Sequence, residues 1–204
     1  MDSPTLNYYQ KNAKSIYDLY ETAADDLSEY LQASFAKGSS IVDVGAGTAC
    51  DLRELLSLGY DAIGIEPSEA LRTLSISKHP ELKGKLLPGS LPELNLSKQF
   101  DGIVCSAVLM HIPENYLFDS LLALRDGLKV NGHLLVSIPK DRPGLDEQFR
   151  DVGGRLFLPL EADRLILLAE RLGLSLISRW ENADSLSRPG YNWVTLLFEK
   201  VKEL

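Results

Sequence analysis

The stretch IVDVGAGTA, residues 41–49, joins a short run of β-branched residues to a glycine-rich turn. The run Ser40–Val44 predicts a strand, and the helical spacing of apolar residues over Asp51–Leu58, which ends at Gly59, predicts a helix after the turn. Glycines at such a turn let the backbone approach a ligand closely, and the N–H groups of the following helix point to the same place. The stretch therefore predicts a ligand site at the end of the first strand.

The alternation of strand and helix continues along the chain and predicts a parallel sheet with right-handed crossovers. Two strands follow the last helix directly, which predicts an antiparallel hairpin. We therefore predict an α/β fold: a doubly wound, mostly parallel seven-stranded sheet with helices on both faces and a C-terminal antiparallel hairpin. The remaining predicted elements are strands at 62–66, 85–87, 100–106, 132–138, 174–180 and 192–199, and helices at 69–77 with Ser68 as N-cap, 114–128 and 161–172.

The 204 residues are predicted to form a single domain, since one domain usually takes about 100–200 residues. Helical spacing between Asn12 and Phe35 predicts one N-terminal helix, broken near Asp25. This gives an N-terminal helical cap over 1–37, a cofactor-binding core over 38–138, a charged Gly- and Pro-rich lid or substrate loop over 139–160, and the last helix with the hairpin over 161–204.

Composition narrows the classes of partner and compartment. The net charge of -8 would repel a phosphate backbone, so no nucleic acid partner is expected. No apolar run reaches about 18 residues, and Met1–Gln10 lacks a signal-peptide pattern, so no membrane insertion is expected. Cys50 and Cys105 are predicted to be buried core residues, which fits a reducing compartment. We predict a cytoplasmic protein, either a monomer or a homodimer.

Two acidic residues narrow the choice of ligand. Asp43, in the last turn of the first strand, would repel the pyrophosphate of a nicotinamide cofactor but suits a positive group such as the amino or sulfonium group of S-adenosylmethionine. The third glycine of the dinucleotide fingerprint is replaced by Cys50. Glu66 closes the second strand, where an acid can accept hydrogen bonds from both ribose hydroxyls of an adenosine. Together, Asp43, Glu66 and the two glycines predict S-adenosylmethionine as the cofactor.

Four segments carry a family resemblance: DVGAG at 43–47, GIEPS at 64–68, PGSLPEL at 88–94 and FDGIVCSAVLMHI at 100–112. They resemble the successive motifs of class I S-adenosylmethionine-dependent methyltransferases. The likeness runs from about Ser39 to the C-terminal hairpin, and within the superfamily the chain looks most like small-molecule enzymes of the ubiquinone-biosynthesis type. It implies a Rossmann-like methyltransferase fold and methyl transfer that leaves S-adenosylhomocysteine.

The resemblance also implies roles for individual residues. Relatives often bind the adenine amino group with an acid, and this chain has Gly89, Ser90 and Leu91 there, so Ser90 and the Leu91 N–H are expected to substitute. In similar enzymes the N-terminal segment folds over the cofactor, which brings in Tyr9 and Tyr20 as candidates for the methionine carboxylate; helical core packing is the alternative for Tyr20. The implied cofactor residues are Asp43, Gly45, Ala46, Gly47 and Thr48 around the methionine part, Glu66 at the ribose, Pro67 and Ser68 beside the adenosine, and Ser106 and Ala107 beneath the sulfonium.

The acceptor side is predicted from residue chemistry. His111 follows the fourth strand and is a candidate catalytic proton acceptor, although a packing or capping role before Pro113 is the alternative. Arginines beside aromatic residues can hold an anionic acceptor, and surface solvation with a hairpin turn is the alternative. The candidate substrate residues are Arg155, Arg188, Tyr191 and Trp193.

The predicted function is methyl transfer to a small-molecule acceptor, with an anionic one as a candidate, by in-line displacement. The chain lacks the motifs by which DNA and arginine methyltransferases hold their substrates, and it has no residue cluster that predicts a metal site. Three alternatives stay open: a non-catalytic S-adenosylmethionine-binding module, a methyltransferase acting on a protein or nucleic acid, and nicotinamide-dependent reduction.

Overall fold

The computed structural model describes residues 1–22 and 27–201. Within these ranges seven strands form one sheet in the order β3-β2-β1-β4-β5-β7-β6. Its first five strands pair in parallel, and β7 is antiparallel to both of its neighbours. The strands are β1 (Ser40–Val44), β2 (Asp61–Ile65), β3 (Leu86–Leu87), β4 (Phe100–Ser106), β5 (Leu128–Asp141), β6 (Leu174–Ala183) and β7 (Asn192–Lys200).

The C-terminal hairpin is inserted so that β7, and not β6, contacts the rest of the sheet. Side chains of β6 alternate between partly buried and exposed, whereas the run from Val194 to Phe198 in β7 is buried throughout. A strand that is buried on both faces belongs inside a sheet, and an alternating strand suits an edge. The predicted doubly wound sheet and its antiparallel hairpin are thus confirmed.

Helices cover both faces of the sheet, as predicted. On one face, Leu52 and Leu55 of one helix pack with Leu31 of another against β1 and β4. On the other face, Leu121 and Leu165 belong to the larger apolar cluster. The helices are α1 (Ser3–Lys11), α2 (Ala13–Tyr20), α3 (Ser28–Ser34), α4 (Cys50–Ser57), α5 (Glu69–Lys78), α6 (Leu117–Asp126) and α7 (Ala162–Arg171).

The prediction of an N-terminal helix from Asn12 to Phe35 misses α1, although α2 does begin directly after Asn12. The first helix begins at Ser3, because Asp2 caps it by accepting the backbone N–H of Thr5 at 3.0 Å. Asn12 separates α1 from α2: its φ of -108° is not helical, and its side chain donates to the carbonyl of Tyr8 at 2.8 Å. The break predicted near Asp25 lies outside the described residues.

Two other boundaries also differ from the prediction. The predicted helix at 114–128 begins with a 3₁₀ turn over Glu114–Tyr116, and α6 itself starts at Leu117. The predicted strand at 132–138 extends in both directions, because backbone pairing carries β5 from Leu128 to Asp141 beyond its apolar stretch. Within the described residues, no helix is both long enough and apolar enough to cross a membrane.

Candidate ligand-binding site

A cavity of about 520 Å³ opens at the carboxyl edge of the sheet. This volume lies within the range of small-molecule sites, which is about 300–1,000 Å³. The position of the cavity follows from the topology of the sheet, because the carboxyl ends of β1, β2 and β4 meet at this edge and leave a crevice outside the strands. Fifteen of the predicted site residues line it: Tyr9, Tyr20, Gly45, Ala46, Gly47, Thr48, Glu66, Pro67, Ser90, Leu91, Ser106, Ala107, His111, Arg188 and Trp193.

The glycine turn after β1 is held against the end of β2. The backbone N–H of Gly45 donates to the carbonyl of Ile65 at 2.7 Å, and the N–H of Gly47 donates to Oε2 of Glu66 at 2.8 Å. Both glycines have positive φ, at 78° and 55°, a conformation that glycine adopts without steric cost. A Cβ atom at Gly45 would also overlap Cγ2 of Val108. The turn therefore needs glycine for its backbone shape and for its packing.

Glu66 is buried at the cavity wall and accepts hydrogen bonds with both carboxylate oxygens. Besides the Gly47 N–H, it accepts the backbone N–H of Ser68 at 2.7 Å. Burial raises the pKa of Glu66, and the two backbone N–H groups and Arg72 oppose that rise. A carboxylate oxygen has two acceptor positions, so each oxygen retains one for a ligand.

Asp43 lies behind the glycine turn and does not line the cavity. It is buried, and among the described residues its Oδ2 atom has no hydrogen-bond partner. Burial raises the pKa of Asp43 well above its usual range, and the charges of Asp51 and Glu66 raise it further, while the Leu52 N–H opposes this. A buried acid with one oxygen that has no partner among the described residues, and with acidic neighbours, gives this end of the cavity a preference for positive charge.

A row of hydroxyl and amide groups, which we call the hydroxyl row, crosses the sheet below the cavity. Ser106, Ser137 and Thr195 are register partners on β4, β5 and β7. The two serine Oγ atoms are 2.9 Å apart, and the Ser137 Oγ also accepts the N–H of Ala107 at 3.0 Å. Thr195 donates to Oδ1 of Asn182 at 3.1 Å. All five residues line the cavity, and Ser137, Thr195 and Asn182 were missed by sequence reasoning.

His111 is buried with both ring nitrogens engaged. Nδ1 lies 2.5 Å from the carbonyl oxygen of Leu156, and since a carbonyl can only accept, Nδ1 carries the proton. Nε2 then accepts from the hydroxyl of Tyr9 at 3.3 Å. Burial lowers the pKa of His111 to about 4, with the charge of Arg155 adding to the effect, and burial raises the pKa of Tyr9 to about 12. At neutral pH both groups are therefore uncharged.

Three guanidinium groups alternate with two aromatic rings beside the cavity. The guanidinium carbon of Arg188 lies 4.4 Å from the ring centre of Tyr191, and that of Arg142 lies 4.6 Å from the same ring. Arg142 is also 4.1 Å from the ring centre of Phe157, and Arg155 is 5.3 Å from it. We refer to these five residues as the arginine–aromatic stack. Cation–π contacts of this kind join the β6–β7 loop to the segment after β5.

Two aspartates neutralise part of the stack. Arg188 donates to Asp184 at 2.8 and 2.5 Å, and Trp193 Nε1 donates to the same carboxylate at 3.0 Å. Burial alone would raise the pKa of Asp184, but these hydrogen bonds lower it to about 2. Arg155 donates to Asp151 at 2.9 and 2.7 Å. Each predicted arginine thus has a carboxylate partner.

The structure brings together most, but not all, of the predicted site. Arg155 and Tyr191 lie in the arginine–aromatic stack and not in the cavity wall. Ser68 is fully buried and caps α5, as predicted, by accepting the Leu71 N–H at 3.3 Å. The prediction that both cysteines belong to the core is wrong for Cys50, which is half-buried and lines the cavity.

Comparison with known proteins identifies the family. Residues 15–179 match the family model described as a methyltransferase domain. The chain belongs to this methyltransferase family. The match spans the glycine turn, Glu66 and His111, whereas Tyr9 and the cavity-lining residues of the C-terminal hairpin lie outside it.

Relatives of this methyltransferase domain are distant. An uncharacterized methyltransferase from Alkaliphilus oremlandii is 25% identical over 60% of this chain and 55% of its own length. A dTDP-4-amino-2,3,4,6-tetradeoxy-D-glucose N,N-dimethyltransferase from Saccharopolyspora spinosa is 25% identical over 50% of this chain and 43% of its own length. The matched stretch thus spans about half the length of these curated relatives.

The fold of the methyltransferase domain is also found among solved structures. The 1,6-didemethyltoxoflavin-N1-methyltransferase of Burkholderia thailandensis, solved with 1,6-didemethyltoxoflavin and S-adenosylhomocysteine, superposes with a TM-score of 0.79 at 15% identity. The alignment covers 98% of this chain and 88% of that one. The predicted class I methyltransferase fold is confirmed, whereas the likeness to ubiquinone-biosynthesis enzymes stays a prediction.

Proposed function

We propose that this methyltransferase domain binds S-adenosylmethionine in the cavity and transfers its methyl group to a small molecule. The observation that carries the proposal is the position of Glu66. One buried carboxylate at the end of β2 fixes the glycine turn through Gly47 and still presents acceptor positions to the cavity. Adjacent ribose hydroxyls are donors that suit such a carboxylate.

The buried acids beside the glycine turn favour a cationic cofactor at that end of the cavity. Asp43 and Glu66 are buried acids whose pKa values are raised, so a nearby positive charge stabilises their ionised forms. S-adenosylmethionine carries a sulfonium and an ammonium group against one carboxylate. We propose that Asp43 acts on the cofactor's positive charge through the glycine turn, and that the other contacts come from Gly45, Ala46, Gly47, Thr48, Pro67, Ser90, Leu91 and Tyr9.

The comparisons support the same cofactor and substrate class. The Burkholderia thailandensis enzyme holds S-adenosylhomocysteine together with a small heterocycle. The Saccharopolyspora spinosa relative is named for methylation of an amino sugar nucleotide. Both are small-molecule methyltransferases, which favours a small-molecule acceptor here.

The proposed mechanism asks the chain for alignment more than for acid–base chemistry. When bound, the cofactor supplies a methyl group that is open to in-line displacement by the acceptor. Ser106, Ala107 and Ser137 form the floor on which the two ligands would meet, and their mutual hydrogen bonds hold that floor rigid. Correct alignment of two reactants supplies about 7–11 kcal/mol of a barrier. His111 keeps an unprotonated Nε2 at neutral pH, which takes the Tyr9 hydroxyl proton as Tyr9 takes one from the acceptor.

We also propose that α1 and the segment at 139–160 cover the reacting groups. Arg150 donates to both oxygens of Asp2 at 2.9 and 3.0 Å, and the N–H of Leu156 donates to Oγ1 of Thr5 at 2.9 Å. The Leu156 carbonyl in turn holds His111. The cover and the candidate proton acceptor are thus one hydrogen-bonded unit, which would exclude water from the cavity.

Calorimetry with S-adenosylmethionine, S-adenosylhomocysteine and NAD tests the cofactor. We expect heat of binding with the first two and none with NAD, and a ligand at 100 times its Kd should add about 2.7 kcal/mol to the free energy of unfolding. Glu66→Gln should weaken binding, whereas Glu69→Gln, an exposed glutamate three residues further on, should not. Binding of NAD alone would overturn the proposal.

Transfer is tested with radiolabelled S-adenosylmethionine over a panel of small amines, phenols and carboxylic acids. We expect label to appear in at least one acceptor, and the Glu66→Gln variant to lower kcat/KM for it. Binding of the cofactor without transfer to any acceptor would favour the non-catalytic module instead.

A further inference from the structure

The two ends of the cavity have opposite charge. At the glycine-turn end, Asp51, Glu54 and Glu66 line the wall, with Asp43 behind it, while the one lining guanidinium there, Arg53 within the described residues, is paired with Glu21. The other end is bounded by the arginine–aromatic stack. A cavity that is acidic at one end and basic at the other favours two ligands of opposite charge.

The stack carries more positive than negative charge. Arg142, Arg155 and Arg188 share two carboxylates, since Asp184 pairs with Arg188 and Asp151 serves both of the others. The Oδ2 atom of Asp151 lies 2.7 Å from Nη2 of Arg155 but 3.4 Å from Nη2 of Arg142, so the ion pair with Arg142 is the weaker of the two. Its pKa is lowered by burial first and also by the charges of Arg155 and Arg188. Among the described residues, the three arginines and their two aspartate partners therefore carry one net positive charge, on side chains that are at least half-buried.

Two side chains that line this end of the cavity have hydrogen-bond donors without an acceptor among the described residues. Arg188 uses Nε and Nη2 for Asp184, and its Nη1 has no acceptor in the described parts of the chain. The hydroxyl of Tyr20 likewise makes no hydrogen bond to a described residue, and its pKa is raised by burial, so it is a donor at neutral pH. Both side chains line the cavity. Trp193, which donates a hydrogen bond to Asp184, adds an apolar indole ring to the same cavity wall.

We propose that Arg188 Nη1 and the Tyr20 hydroxyl bind a carboxylate group of the methyl acceptor, which makes the acceptor a small carboxylic acid. This rests on the proposed function, since it assigns the second ligand of the same cavity. One negative charge balances the net positive charge of the stack and its two aspartates, whereas a phosphate dianion would leave an excess of negative charge in an already acidic cavity. A hydrogen bond between two charged groups is about twice as strong as a neutral one, so Arg188 would discriminate against uncharged analogues.

The test uses protein saturated with S-adenosylhomocysteine, so that the cofactor's own carboxylate already occupies its place. Benzoate, benzamide and phenyl phosphate are titrated as probes, and their Kd values are measured by calorimetry or ligand-observed NMR. We expect benzoate to bind roughly tenfold or more tightly than benzamide and than phenyl phosphate. Arg188→Gln should abolish the preference for benzoate, and Tyr20→Phe should reduce it by a smaller factor.

Arg179→Gln is the matched control, because Arg179 is an exposed arginine of the same hairpin that pairs with Asp163 at 2.7 Å. It should retain the full preference. Arg188→Lys serves as a second variant should Arg188→Gln not fold: its single ammonium group must serve both Asp184 and the ligand, so it should reduce the preference. The affinity for S-adenosylhomocysteine should stay within about twofold in every variant.

Several results would overturn the assignment. Equal binding of benzoate and benzamide would exclude a carboxylate site, and stronger binding of phenyl phosphate would assign the site to a phosphate instead. A preference that survives Arg188→Gln would place the anion elsewhere. A loss of S-adenosylhomocysteine affinity in Arg188→Gln would assign Arg188 to the cofactor. Failure of the wild-type protein to bind S-adenosylhomocysteine at all would instead refute the proposed function.

Discussion

The Oε2 atom of Glu66 lies 2.8 Å from the backbone nitrogen of Gly47, so one side chain at the end of β2 holds the turn that follows β1. The second oxygen holds the N–H of Ser68, which itself caps α5. The glycine turn and the start of α5 thus both depend on one buried carboxylate. The same residue is proposed to bind the cofactor ribose, so its structural and functional effects have to be separated by experiment.

Glu66→Ala should destabilise the ligand-free protein as well as weaken cofactor binding. The substitution leaves the buried N–H groups of Gly47 and Ser68 without an acceptor, which costs about 2–3 kcal/mol. Glu66→Gln retains one acceptor oxygen and should cost less. Urea unfolding at pH 7 without ligand measures both variants. If Glu66→Ala unfolds at the wild-type urea concentration, then the two hydrogen bonds do not support the turn.

Asp43→Asn should make the ligand-free protein more stable at high pH. The pKa of Asp43 is raised in the folded protein, so between the unfolded value, near 3.8, and the folded one the native state binds more protons than the unfolded state. The free energy of unfolding therefore falls as pH rises through this window, and Glu66 adds to the fall. Asparagine is neutral throughout and should flatten the dependence.

Thermal unfolding of Asp43→Asn from pH 4 to pH 8 measures this effect, with the exposed Asp61→Asn as control. The stabilised variant should bind S-adenosylmethionine more weakly, because it has lost a charge that favours a cation. An unchanged pH dependence would mean that Asp43 is already neutral or solvated in the native protein. Stability and binding moving in the same direction would argue that Asp43 is a purely structural residue.

Much of the sheet and the glycine turn could be predicted from sequence, because short-range patterns determine them. The strand over Phe100–Ser106 was predicted with its observed bounds, since a strand buried on both faces is a continuous apolar run. Glu66 and the glycines were found because strand ends and turn residues leave local signals. Ser68 was recognised as an N-cap for the same reason.

The parts that were missed depend on contacts between distant segments. Thr195 joins the hydroxyl row only because β7 lies between β5 and β6, and no local pattern reports strand order. The arginine–aromatic stack joins Arg142 to Tyr191, which are far apart in sequence; arginines beside aromatic residues were predicted here, but the ring that each arginine contacts was not. The sequence signal for Ser137 and Thr195 is a hydroxyl residue within an otherwise apolar stretch, since a buried polar group needs a partner.

Gly45→Ala should damage the methyltransferase domain more than Gly47→Ala. Both glycines have positive φ, so each substitution costs about 1–2 kcal/mol of backbone strain. Only at Gly45 would the new Cβ also overlap Val108, whereas a Cβ at Gly47 meets nothing closer than 3.9 Å. Urea unfolding should rank the wild type, Gly47→Ala and Gly45→Ala in order of decreasing stability. The reverse order would mean that Val108 moves aside at little cost.

His111 should make the protein more stable as pH rises from about 4 to about 6.5. Its pKa is lowered to about 4 in the folded protein by burial, so in this window the unfolded state binds the additional proton and protonation favours unfolding. The shift corresponds to on the order of 3 kcal/mol, gained as pH rises and complete above the unfolded pKa. His111→Gln can still donate to the Leu156 carbonyl but does not titrate.

The difference in unfolding free energy between wild type and His111→Gln isolates this contribution, because the opposing effect of Asp43 and Glu66 is common to both proteins. We expect the difference to grow in favour of the wild type from pH 4.5 to pH 6.5 and then to stay constant. The ring signals of His111 in NMR should show the neutral form with the proton on Nδ1 at pH 6. A ring that titrates near pH 6.5 would show that water reaches His111, and the proposed cover formed by α1 and residues 139–160 would then have to be open in solution.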